Sequence, residues 1–350
     1  MVKDISIAGR LIGASHRPYI VAEMSGNHNG SLDRALKIVE AAKLSGADAV
    51  KLQTYKAATM TLNVDHPRFR VGGSNPWSGD HLYELYEKAH TPWEWHREIF
   101  DYGKSLGIAV FSSPFDATAV DLLESLNAPA YKIASFELVD LDLIRRCAST
   151  GKPIIISTGM ASLIEISEGV AAAREAGAAD IVVLKCTSAY PAPPEDMNLR
   201  TIPHLAQALD VHVGLSDHSL GVGAAVAAVA LGAVFIEKHF TLARSDGGVD
   251  STFSLEPAEL QSLVTETRVA QLALGQVSYI PKDLESSFRR YRRSLFFVRD
   301  VPAGKQVLPE DIQALRPGDG LPPKYRAAVV GRTVKVAVTR GTPVSWAVLA

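Results

Sequence analysis

The chain has 350 residues, enough for one large domain with a small one attached. An apolar share of 47%, a charged share of 21% and a formal net charge of −2 describe ordinary globular composition and argue against nucleic acid as the main partner. The two cysteines, Cys147 and Cys186, fit neither a metal-ligand spacing nor a disulfide framework. The chain start lacks an apolar core of signal-peptide length, and the most apolar stretch, 221–235, is too short to span a bilayer. The expectation is a soluble, cytoplasmic protein with no membrane partner.

Short β-branched runs recur through the first 240 residues: Tyr19–Glu23, 49–53, 108–112, 130–134, 153–157, 181–185, 211–215 and 234–237. Most are near-continuously apolar, the signature of parallel strands buried on both faces. Helical patterns lie between them. In 32–45, Leu32, Ala35, Leu36, Val39 and Ala42 form one stripe, with Ser31 placed to cap it. Segments 161–176 and 221–231 behave similarly. Between the second and third runs lies a longer insert, with a Gly/Pro-rich loop at 71–79 and a helical region broken near Thr91 and Pro92. Eight strands alternating with helices predict a (β/α)8 TIM barrel over residues 1–277. A doubly wound open sheet is the competing reading, disfavoured because no Gly-rich dinucleotide turn follows the first strand. Residues 278–293, which include RRYRR, read as a polar linker, and 294–350 as a compact domain of short strands and turns.

Polar residues fall at or just beyond the C-terminal ends of the strands, the one face on which barrel enzymes build their sites. Glu23 follows the first strand; Lys51 and Gln53 lie in the second; Ser112 and Ser113 end the third. Lys132, Ser135 and Glu137 mark the fourth and Ser157 the fifth. Lys185, Ser188 and Tyr190 mark the sixth, Ser216, Asp217 and His218 the seventh, and Glu237 and His239 the eighth. A single strand-end lysine is usually a snorkelling surface residue. Three facing one mouth, with serine hydroxyls around them, suit a small, highly charged anion such as a phosphate ester bearing a carboxylate. His218 and His239 end adjacent strands, which run about 5 Å apart, so both imidazoles can reach one cation. Two histidines with open positions suit a catalytic divalent metal and not a closed structural site. Asn27 and His28 are weak candidates, since a turn alone explains them; Trp77, Trp93 and Trp95 of the insert could shape a sugar pocket, though such residues more often serve packing.

The segments AEMSGNHNG, DAVKLQTY, FSSPFD, YKIASFE, PIIISTGM, KCTSAYPAP, GLSDHSLG and EKHFTL, in this order, resemble the sialic acid synthases. These are phosphoenolpyruvate-condensing barrels with a C-terminal antifreeze-like (SAF, β-clip) domain. The resemblance extends to RRSLFFVRDV and LRPGDGL near the end. WSGDHLYELYEKAHTPWEWH, ASFEL, TSAYPAP and HFTLARSDGGVDSTFSLEP are similar to the pseudaminic acid branch, and Ser188 stands where the N-acetylneuraminate branch usually has Asn.

The resemblance implies that His218 and His239 hold Mn²⁺ or Mg²⁺. Lys51, Ser113, Lys132, Ser135, Ser157, Ser188 and Ser216 would hold phosphoenolpyruvate, with Glu137 near its phosphate end. Glu23 would handle the proton of the attacking water or of the sugar, while Gln53, Tyr190 and Asp250 face an amino sugar. Arg316 would reach the site of a second copy, which implies a domain-swapped homodimer. The rival readings are a synthase of the same family acting on N-acetylmannosamine or a legionaminic acid precursor, an aldolase using free pyruvate, and a non-catalytic sugar-binding protein.

Overall fold

In a computed structural model, which describes residues 2–73 and 75–350, the chain divides into two compact units, Met1–Gly275 and Gln276–Ala350. Ser74, within the 71–79 loop, lies outside the described residues. The first unit begins with an antiparallel hairpin, β1 (Ile5–Ile7) and β2 (Arg10–Ile12). Eight parallel strands follow: β3 (Tyr19–Glu23), β4 (Ala49–Thr54), β5 (Ala109–Pro114), β6 (Tyr131–Ile133), β7 (Ile154–Ser157), β8 (Ile181–Cys186), β9 (His212–Asp217) and β10 (Phe235–His239). They close in chain order, with β10 pairing back onto β3. The barrel expected from the count of apolar runs is therefore present, and the open-sheet alternative is not.

The apolar runs close into a barrel because each strand feeds two cores. Ile20, Val50, Val110, Tyr131, Ile156, Val183, Val213 and Ile236 pack outward against the helices. Their neighbours Tyr19, Val21, Ala49, Phe111, Ala130, Ile155, Val182, Leu184 and Phe235 fill the interior, joined by Ile5, Ile7 and Ile12 of the hairpin. The hairpin thus belongs to the barrel's own core, a role its short strands did not announce. Gly214 takes an interior position because a side chain there would collide with the Phe235 carbonyl and come 2.6 Å from Leu184.

Local signals start the surrounding helices. Ser31 caps Leu32–Leu44 through a hydrogen bond from Arg34 N–H at 3.3 Å, and Ala35, Ile38, Val39 and Ala42 form its buried stripe. Ser162 and Glu165 form a reciprocal capping box at the start of Leu163–Glu175. In the insert, Leu82–Ala89 ends before Pro92, and a new helix, His96–Leu106, follows.

On the outer face, Lys238 donates to Asp217 at 2.7 Å and to the Ser219 carbonyl at 2.6 Å, tying β10 to β9 between sheet and helices. Both side chains are fully buried, where a charge persists only with a partner.

The second unit has its own core, built from Leu295, Phe297, Val301, Val307, Ile312, Val329, Val334, Val338, Val344 and Leu349. Here β11 (Ser294–Phe297) pairs antiparallel with β12 (Ile312–Leu315), and most other pairings are isolated bridges. Residues 278–293 carry two short helices, Asp283–Ser287 and Phe288–Tyr291, with no buried side chain. Arg316 follows β12 and is exposed. Among the described residues no helix is long and apolar enough to cross a membrane.

Candidate active site

The interior row of side chains changes character along each strand. Below it is apolar; at the C-terminal rim it becomes Glu23, Lys51, Gln53, Ser113, Lys132, Ser157, Ser216, Glu237 and His239. Register brings these together: Glu23 lies opposite Lys51 and His239, Gln53 opposite Ser113, and Glu237 opposite Ser216.

Lys51 is the hub. Its ammonium is 3.1 Å from Glu23 Oε2, 3.1 Å from Glu237 Oε1 and 3.3 Å from Ser113 Oγ, to which it donates. Lys132 approaches Glu237 Oε1 at 3.4 Å, and the Ser216 hydroxyl donates to the same oxygen at 3.4 Å. Gln53 Nε2 donates to Glu23 Oε1 at 2.9 Å, which fixes the carboxyl plane. Glu23, Lys51, Lys132 and Glu237 are each at most 4% exposed, so water screens none of these charges.

The two carboxyls compete for Lys51, and their protonation separates. Burial pushes Glu23 up to about 7; Lys51 opposes this and Glu237 adds to it. Burial also acts to raise Glu237, but Lys132 and Lys51 outweigh it and hold that carboxyl below its ordinary value. Burial works against the charge of Lys51, yet Glu23 and Glu237 raise it, whereas Lys132 is lowered by burial that Glu237 offsets only in part. One environment thus drives the two carboxyls apart, with Glu23 raised toward neutral pH and Glu237 held on the ionised side. Glu137 lies on the segment after β6, and burial pushes it up to about 7 as well, with a hydrogen bond from its own backbone and Lys132 opposing.

Loops complete the rim. Gly159 N–H donates to Ser135 Oγ at 3.0 Å. A side chain at Gly159 would overlap Ser188 Oγ and come 2.7 Å from Ser135 Oγ, so the loops after β6, β7 and β8 meet around a bare backbone. The junction gathers the Ser135 and Ser188 hydroxyls around the Gly159 backbone.

His218 and His239 face each other with ring centroids 5.4 Å apart. His218 Nδ1 donates to the Thr187 carbonyl at 3.0 Å, leaving Nε2 as the acceptor nitrogen. His239 Nδ1 is buried without a hydrogen-bond partner and lies 4.0 Å from Asp250 Oδ2. The Ser25 hydroxyl donates to Asp250. Glu237 Oε2 and Ser157 Oγ are likewise buried without hydrogen-bond partners. Polar atoms buried at such cost mark a site that binds something polar. The imidazole pair fits a catalytic cation that draws its remaining ligands from water or substrate. Among the described residues no set of three or more His, Cys, Asp or Glu side chains forms a closed metal cage.

Lys185, expected as a third lysine of the cup, does not join it. In β8, Val182 and Leu184 point inward, so Lys185 takes the outward position and donates to the Cys186 carbonyl at 2.7 Å and Thr187 Oγ1 at 3.2 Å. The inward position belongs to Cys186, whose sulfur is 3.8 Å from His218 Nδ1 and 3.9 Å from Ser188 Oγ. Burial would raise this thiol, but His218, Ser135 and Lys132 together outweigh it and lower the thiol to about 6. The parity of the apolar residues in β8 was the signal for Cys186. Tyr190 stands over the pair, 4.4 Å from His218, and meets Phe253, which is 5.0 Å from His239. Phe253 had no sequence signal beyond its aromatic type. Arg316 belongs to the other unit.

Titrating the carboxyl carbons by NMR tests this electrostatic division. Glu23, assigned by its loss in Glu23→Gln, is expected to titrate near 7, and Lys51→Met is expected to raise that midpoint further. A midpoint in the usual range of about 4 would contradict the competition for Lys51.

Comparison with known proteins agrees with this architecture. Residues 38–279 match the model of the NeuB family, and residues 292–350 match the SAF domain. The chain is 45% identical over 330 residues to the pseudaminic acid synthase of Helicobacter pylori, covering 94% of this chain and 96% of that one. It is 33% identical to the human N-acetylneuraminate-9-phosphate synthase, covering 94% and 92%. A solved N-acetylneuraminic acid synthetase from Leptospira borgpetersenii, in complex with citrate, superposes with a TM-score of 0.73 at 30% identity, over 82% of this chain and 95% of that one. The chain belongs to the NeuB family, the sialic-acid-type synthases, and carries a C-terminal SAF domain.

Proposed function

We propose that this chain condenses phosphoenolpyruvate and water with 2,4-diacetamido-2,4,6-trideoxy-L-altrose, giving pseudaminic acid and phosphate by C–O cleavage. The observation that carries the reading is the buried cup of Lys51, Lys132, Glu23 and Glu237 beside the imidazole pair. Similarity to the pseudaminic acid synthases of Helicobacter pylori and Campylobacter jejuni, at 45% and 44% identity, selects the sugar over the neuraminate and legionaminate alternatives.

Lys51 and Lys132 hold the phosphate and carboxylate of phosphoenolpyruvate, with Ser113, Ser135, Ser157, Ser188 and Ser216 supplying further polar contacts. Glu237 keeps both ammoniums in place before substrate arrives, so little reorganisation is needed at the reacting centre. His218 and His239 would hold Mn²⁺ or Mg²⁺, which supplies Lewis-acid polarisation of the sugar's aldehyde carbonyl. Gln53, Tyr190 and Asp250 orient that aldehyde against C3 of phosphoenolpyruvate. As the new C–C bond forms, Lys51 and Lys132 keep the phosphate fixed while positive charge develops at C2 and water adds there. Glu23 Oε2 takes the proton from that water, a role suited to a carboxyl poised near neutral pH, and the former aldehyde oxygen takes up one proton to become the product's hydroxyl. The tetrahedral centre then expels phosphate, and Glu137 lies near that end. Lys185 is not assigned to the anion. Both cysteines are free and buried, which supports placing the work in the cytoplasm.

Phosphate release is expected to need phosphoenolpyruvate, the diacetamido sugar and a divalent cation together, with bridging ¹⁸O recovered in phosphate. Label retained in the keto acid, full turnover after rigorous chelation, or faster turnover with N-acetylmannosamine or free pyruvate would overturn the assignment.

We also propose that Arg316 serves the site of a second copy, in a domain-swapped homodimer. Its exposure on the C-terminal unit and the exposed apolar side chains of Val277, Tyr279, Ile280 and Leu284 support this. Sedimentation is expected to give a dimer; a monomer at full specific activity would contradict it.

A further inference from the structure

The insert between β4 and β5 takes part in the site through one side chain. Trp77 Nε1 donates to the Val249 carbonyl at 2.8 Å, and Val249 immediately precedes Asp250. Its ring meets Tyr190 edge-on, with centroids 5.4 Å apart, and Phe253 at 6.2 Å and 90°. Those two rings in turn stand against His218 at 4.4 Å and His239 at 5.0 Å. A continuous aromatic wall therefore runs from the insert to the imidazole pair. Trp77 itself is only half-buried, with Pro76 and Ser78 exposed beside it, so part of the indole stays free.

This wall differs chemically from the rest of the rim. The phosphoenolpyruvate side is charged and hydroxyl-rich, whereas the Trp77 side offers ring faces and edges. Such a surface stabilises an apolar carbon and leaves a hydroxyl without a partner. Asp250, anchored beside it by the Trp77–Val249 hydrogen bond and by Ser25, supplies the nearest polar group.

We propose that Trp77 is a specificity-determining residue. With Tyr190 and Phe253 it packs the methyl carbon of a 6-deoxy amino sugar and disfavours the same sugar carrying a hydroxymethyl group there. This rests on the reading of the chain as an amino-sugar condensing enzyme. An apolar pocket separates two such sugars by about 10- to 100-fold in kcat/KM.

The test compares kcat/KM for the 6-deoxy diacetamido sugar and its 6-hydroxy counterpart in the wild-type enzyme, Trp77→Phe and Trp77→Ala. The wild type is expected to prefer the 6-deoxy sugar by about tenfold or more, and Trp77→Ala to bring the two within about threefold, chiefly through the sugar KM. The KM for phosphoenolpyruvate should stay unchanged, since the charged cup is untouched. Trp77→Phe, which keeps an aromatic surface but loses the N–H, should fall between them. An equal loss for both sugars in Trp77→Ala would mean a scaffold role and overturn the proposal. So would an unchanged ratio in Trp77→Phe, the deciding variant if Trp77→Ala does not fold. Absence of wild-type turnover with the 6-deoxy sugar would instead sink the functional reading, and this inference with it.

Discussion

Two buried carboxyls share one buried ammonium, and the chemistry of the rim follows from that shortage. Lys51 stands 3.1 Å from both Glu23 and Glu237, but Glu237 also has Lys132. With less positive charge at hand, Glu23 is the carboxyl that accepts a proton near neutral pH, while Glu237 stays ionised. A single environment thus yields a proton carrier and a fixed anion. The fixed anion holds two lysines in a dry cup that would otherwise repel one another. On the proposed reading, an anionic substrate would meet charges already oriented.

The barrel makes this possible through side-chain alternation. Inward positions are apolar low in the strands and polar at the rim, while outward positions remain apolar or, as with Lys238 and Asp217, are neutralised in place. The hydrophobic interior below the rim, plugged by Ile5, Ile7 and Ile12, keeps water from reaching the ion pairs from beneath. Stability and function are therefore linked along the same strands. The residues that close the core set the dielectric in which Glu23 and Lys51 interact.

Much of this was legible beforehand. Parallel strands buried on both faces write long apolar runs, so eight of them could be counted, and the polar residues ending them marked the rim. Ser31 and the stripe behind it announced their helix. The orientation of adjacent residues was harder to read. Lys185 and Cys186 are neighbours at a strand end, and only the inward parity of Val182 and Leu184 shows which enters the site. The opening hairpin escaped because strands of three residues leave almost no period. Trp77 could be named for the sugar pocket but not told from a packing residue, because a half-buried aromatic in a Gly/Pro-rich loop carries no periodic signal and its partners Val249, Tyr190 and Phe253 lie far along the chain. The competition for Lys51 is a property of three-dimensional register, which brings Glu23 and Glu237 from opposite ends of the barrel sequence to one ammonium.

Calorimetric binding of phosphoenolpyruvate to three lysine variants tests the central claim most directly. Lys51→Met and Lys132→Met are each expected to weaken binding by about tenfold or more, as the loss of a buried charge-assisted contact demands. Lys185→Met, outside the cup, is expected to bind like the wild type. Equal weakening in all three, or none in the first two, would contradict an anion site built on the Lys51–Glu237–Lys132 cluster.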